Sequence, residues 1–183
     1  AGFKRSNVPR RLMERFDVKR GLIKSLDSEG GLVALASRYF EVVKETGNNS
    51  FSGSHGIMTS IEGHYNEGGA LIVDVTNVPP NFDDPDSVKS AMDARKKWTQ
   101  FLDEATGYNS KQRGDKAKEW AKKASKAKSA VSSARHFMSM SEISPDIASK
   151  AEALIVEIEA ALELNDNTKA AGRGEKLNKL LTS

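Results

Sequence analysis

Ile57-Met58-Thr59-Ser60-Ile61-Glu62-Gly63-His64-Tyr65-Asn66-Glu67-Gly68-Gly69-Ala70-Leu71-Ile72-Val73-Asp74-Val75-Thr76 is the stretch on which the fold class turns. Two runs rich in β-branched residues flank Asn66-Glu67-Gly68-Gly69, where glycine supplies the positive φ that a tight turn needs. The reading is two antiparallel strands. An earlier strand over Ser50–Ser54 would extend them to a small three-stranded sheet. Beyond Thr76, adjacent Pro79 and Pro80 remove backbone donors, so the ladder cannot continue there.

Downstream the period changes from two to three and four. Asp83, Asp84, Asp86 and Ser87 place acids and a cap where they complement a helix dipole. The helix that follows should run over 88–105, burying Val88, Ala91, Met92, Trp98, Phe101, Leu102 and Ala105, with Gly107 as its stop. From Ala117, residues Trp120, Ala124, Ala127, Val131, Ala134 and Met138 alternate steps of three and four. That seam faces a partner helix, and its alanines allow a close approach. Ser144-Pro145-Asp146 begins another helix to about Leu164, and 168–181 forms a last one, weakened by Gly172 and Gly174 at about 1 kcal/mol each relative to alanine.

Upstream, 28–45 carries Leu32, Leu35, Ala36, Tyr39, Val42 and Val43 at helical spacing, with Gly47 as its stop and a strand over 39–44 as the alternative. The first residues are basic, and Leu12, Phe16, Leu22, Ile23 and Leu26 suit one or two short helices. The expected architecture is α+β, a small antiparallel sheet with flanking helices and a carboxy-terminal three-helix region. Residues 1–110 would form the α+β domain with a basic amino-terminal arm, and 111–183 the helical region.

Charge is unevenly spread. A net +3 over 183 residues resolves into +4 for 1–45, −6 for 46–87, +8 for 88–139 and −3 for 140–183. Such asymmetry bears on partners rather than on fold. Cysteine is absent, which excludes disulfides and thiolate metal sites and suits a reducing interior. No window reaches the ~18 apolar residues of a membrane span, and the first residues lack the apolar core of a secretory signal. The cytoplasm is the expected compartment.

The basic run Lys111, Arg113, Lys116, Lys118, Lys122, Lys123, Lys126 and Lys128 is the first candidate site. Cations ranged on an exposed ridge bind a polyanion by releasing its counterions. Tyr108 and Asn109 precede it at a helix junction whose N–H groups could meet a phosphate. Lys4, Arg5, Arg10 and Arg11 form the arm, of a type that orders on entering a groove. His55, Glu62 and His64 are the one metal-like constellation, Glu62 and His64 sharing a strand face on which Asp74 of the partner strand would be a third ligand, but the spacing fits no metal motif. No nucleophile, phosphate-loop or dinucleotide signature occurs. Trp98, Trp120 and Tyr108 could stack bases, but aromatics at helical spacing more often pack in a core.

Tyr39-Phe40-Glu41-Val42-Val43, the strand ending Ser60-Ile61-Glu62-Gly63, and Phe101-Leu102-Asp103-Glu104-Ala105-Thr106-Gly107-Tyr108 with the basic residues after it carry a family likeness. Residues 39–119 resemble a small uncharacterised archaeal α+β domain family. The resemblance implies a small antiparallel sheet backed by helices and carries no catalytic residue over. Residues 125–183 depart from it.

The expected function is therefore non-catalytic binding of nucleic acid, RNA ahead of a particular DNA sequence, with neither metal nor cofactor and no membrane partner. The rival reading is an assembly protein, a subunit of a viral or other multiprotein particle, joined to another copy through the alanine seam.

Overall fold

A computed structural model gives the structure of residues 8–182. Among these, five strands and six helices follow one another: β1 (Arg10–Phe16), α1 (Leu22–Asp27), α2 (Gly31–Tyr39), β2 (Val42–Gly47), β3 (Ser50–His55), β4 (Met58–Tyr65), β5 (Leu71–Asn77), α3 (Pro85–Thr106), α4 (Ser110–Met140), α5 (Pro145–Glu163) and α6 (Asn167–Thr182). The fold is α+β, and its chain divides into two compact units, 1–114 and 115–183.

In the first unit the hairpin expected over 57–76 is β4 and β5, paired from Tyr65↔Leu71 to Met58↔Asn77. The Asn66–Gly69 turn closes it, with the Gly69 N–H donating to the Asn66 carbonyl at 3.0 Å. The sheet is larger than the three strands expected. Its order is β1-β5-β4-β3-β2, antiparallel throughout. Helices were expected where both edge strands lie. Over 10–16, Leu12, Met13 and Phe16 do not alternate, and the pairing that makes them a strand, Phe16 with Leu71, lies far along the chain. Four charged side chains suit an edge, where they discourage pairing with another chain. At the other edge α2 ends at Tyr39, Phe40 turns to extended backbone, and β2 begins at Val42, so the alternative reading of 39–44 is the nearer one.

Alternation sorts the sheet into two faces. Phe51, Ile61, Leu71, Val73 and Val75 point inward, where Leu32, Leu35 and Ala36 of α2 and Phe101, Leu102 and Ala105 of α3 complete one core. Phe40 sits at the centre of a ring cluster, 5.0 Å from Phe101, 5.9 Å from Trp98 and 6.2 Å from Phe51. Polar ties fix α3 to this frame. The Tyr65 hydroxyl donates to the Ala105 carbonyl at 2.6 Å. His55 accepts the Glu41 N–H at Nδ1, 3.2 Å away, so its proton is on Nε2, which donates to Asp93 at 3.1 Å. Asp84 caps α3 by accepting the Asp86 N–H, and Gly107, at φ 76°, ends it.

The second unit has its own core. The seam expected on α4 is buried over its middle, where Ala127, Val131 and Ala134 pack against Ala151, Ile155 and Ile158 of α5 and Ala170 and Leu177 of α6; Trp120, Ala124 and Met138 are half-buried and Ala117 is exposed. Ala130 is buried as well, because α6 approaches through Gly174. A Cβ added at Gly174 would lie 3.2 Å from the Ala130 Cβ. The glycine whose helix cost was counted above is what permits the contact. Asn167 donates to the Trp120 carbonyl at 2.9 Å and holds the start of α6 on α4.

Candidate nucleic-acid interface

The residues of the basic run do not share one surface. Arg113 is buried: its Nη1 donates to the Asp103 carboxylate and to the Tyr108 carbonyl at 2.7 Å, and its Nη2 to the Ser110 hydroxyl at 3.0 Å. Five planar donors suit such a multipoint clamp, and a guanidinium so used is withdrawn from any phosphate. The junction before α4 is also occupied. Asn109 and Gln112 form a reciprocal capping box, each side-chain oxygen accepting the other's backbone N–H at 2.9 Å, which takes up N–H groups that an anion would need.

Two lysines border the buried seam. Lys116 pairs with Glu119 at 3.7 Å. Lys123 lies 5.5 Å over the Trp120 ring and donates to the Thr168 hydroxyl at 3.2 Å. Lys118, Lys122 and Lys126 are different. All three are exposed, four residues apart, so each lies about 6 Å beyond the last along the helix and on the face turned from the seam. Lys128 is exposed on the flank. Lys111 is exposed in the first turn, within the other unit.

The basic arm takes another form. Lys4 and Arg5 lie outside the described residues. Arg10 and Arg11 are strand residues, paired with Asn77 and Thr76, so the free arm expected at these two positions is corrected. Arg11 donates through Nε to both Asp74 oxygens at 3.0 Å, and that bond holds the Asp74 carboxyl below its ordinary range. Local sequence could not reveal this pairing, because Asp74 is distant in the chain.

The metal-like constellation is not assembled. His55 points inward to Asp93, whereas Glu62 and His64 are exposed on the outer face of β4. Asp74 does stand opposite Glu62, but Arg11 occupies it. Trp98 is half-buried and packs with Phe40 and Phe101 against the core.

Residues 13–119 match the family described as Domain of unknown function (DUF5611). The chain belongs to that family. The DUF5611 match starts within β1, earlier than the resemblance over 39–119, and takes in the rest of β1, α1 and α2. It ends in α4 at Glu119, so Lys122, Lys123, Lys126 and Lys128 lie beyond the DUF5611 region. No curated protein and no solved structure matches the chain. Among the described residues no helix is long and apolar enough to cross a membrane.

Proposed function

We propose that this chain binds nucleic acid through phosphate contacts from the lysine row of α4 and catalyses no reaction of its own. The observation that carries the reading is the exposed row Lys118, Lys122 and Lys126. Like charges four residues apart on a helix repel by roughly 0.2–0.5 kcal/mol per pair, so the row carries a small folding cost that a polyanion would relieve. Lysine presents a point charge suited to phosphate, and the row lacks the Arg, Asn and Gln side chains that read base edges. That favours RNA or a ribonucleoprotein surface over a particular DNA sequence. A cysteine-free chain accords with a reducing compartment such as the cytoplasm.

Self-association through the alanine seam has less support, because α5 and α6 of the same chain fill that seam. The test is a salt titration of RNA binding by wild type and by the triple variant Lys118→Gln, Lys122→Gln, Lys126→Gln. Three lost contacts should flatten the slope of log K against log salt by about 2 units on single strands. An unchanged slope, or no wild-type affinity near physiological salt, would overturn the proposal.

A further inference from the structure

The core of the first unit is unevenly filled. The carboxy-terminal half of α3 sits directly on the sheet through Phe101, Leu102 and Ala105. Its amino-terminal half instead bounds a cavity of about 600 Å³ against β1 and β5. Leu12, Val73 and Val75 form the floor, with Ala91 and Trp98 among the roof residues. That volume falls within the ~300–1,000 Å³ of small-molecule sites, and the predominance of apolar walls with a few polar groups is their usual character.

The mouth of the cavity is apolar too. Leu12 is 54% exposed, Phe82 62% and Met92 67%, and all three line this one cavity. Three large apolar side chains from a strand, a loop and a helix, gathered at one opening, are more than scattered surface residues. The polar lining consists of Glu14, Asn77 and Arg95: one anion, one amide and one cation. Among the described residues, neither Glu14 nor Arg95 is in an ion pair. A ligand bearing a single full charge would be attracted by one of these and repelled by the other. A neutral head that both donates and accepts hydrogen bonds suits both.

We infer that the space between α3 and the β1–β5 edge is a binding site for a small neutral amphiphile, an apolar body carrying a hydroxyl or amide head. The inference is independent of the lysine row, which belongs to α4. Leu12 and Val75 hold one side of the apolar body, and Met92 and Phe82 fold over the other. Glu14 accepts from the head while Arg95 donates to it.

The experiment uses the full chain with Trp120→Phe, which leaves Trp98 as the reporter, since the sequence contains two tryptophans. Nile red serves as a neutral fluorescent probe, displaced by straight-chain alcohols of increasing length and by the carboxylate and the amine of ten carbons. Saturable dye binding with energy transfer from Trp98 is expected. The alcohols should tighten roughly fourfold per methylene until the cavity is full, and then gain nothing. 1-Decanol should compete at least tenfold better than decanoate or decylamine. Ala91→Phe and Val88→Phe, which fill the space from α3 at half-buried positions, should each weaken dye binding tenfold or more with the cooperative thermal transition retained. Dye binding undiminished in both folded variants would overturn the site, as would no saturable binding at all. A charged competitor stronger than the alcohol would overturn the ligand class. Dye binding that falls as protein concentration rises would overturn it in favour of a second copy covering the mouth.

Discussion

Arg113 and Lys118 lie five positions apart on α4 and meet different surroundings. Arg113 is enclosed by Asp103, Tyr108 and Ser110, so Arg113→Ala leaves a carbonyl and a half-exposed carboxylate without their donor. The expected cost is about 1–3 kcal/mol, read as a lower urea midpoint, with the salt slope of RNA binding unchanged. The Lys118, Lys122 and Lys126 glutamine variant should behave in the opposite way, with an equal or slightly higher midpoint and a flatter slope. Composition could not separate these cations, because the sequence shows charge and not what surrounds it. Gly172 and Gly174 make a similar contrast. A Cβ at Gly172 meets nothing within 4 Å, whereas one at Gly174 approaches α4. Gly172→Ala should therefore stabilise by about 0.5–1 kcal/mol, and Gly174→Leu should destabilise by about 1–3 kcal/mol through overpacking. Thermal denaturation of the two variants checks both signs.

Elements whose pairing is local were legible. The β4–β5 hairpin is joined by its own turn residues, and α3 follows from the Asp84 cap, its apolar stripe and Gly107. The alanine seam of α4 needed only its period, although what fills it came from α5 and α6 rather than from another molecule. The edge strands were not legible, since β1 is a strand only because β5 lies beside it. The apolar cavity had the same cause: Leu12, Val75 and Met92 come together through tertiary structure, with no motif to mark them. The Arg11–Asp74 bond offers a test of the β1–β5 edge. Asp74 has its pKa lowered in the native state, above all by the Arg11 hydrogen bond. Its contribution to stability is therefore complete above the unfolded carboxyl value of about 4 and is lost as pH falls through the lower native value. Asp74→Asn should lower the urea midpoint at pH 7, and the wild-type and variant midpoints should converge in acid.

At the scale of the whole molecule, the two cores share no residue: one is built from the sheet with α1, α2 and α3, the other from α4, α5 and α6. A fragment ending at Lys122, which retains Arg113 and the first turns of α4, should fold alone. Cooperative urea unfolding followed by circular dichroism and by fluorescence at a common midpoint would establish it, and a non-cooperative transition would show that the first core depends on the second. The DUF5611 match, ending at Glu119, fits a unit of that extent. The β1–β5 pairing also sets an order of events during synthesis. Phe16 meets Leu71, so β1 is synthesised some 55 residues before its partner. At about 5–20 residues per second that is a delay of roughly 3–11 s. Through that interval Leu12, Met13 and Phe16 lack the neighbour that makes their segment a strand. Arg10, Arg11, Glu14 and Arg15 lie between and beside them, and charges so placed act as gatekeepers against aggregation of the nascent chain.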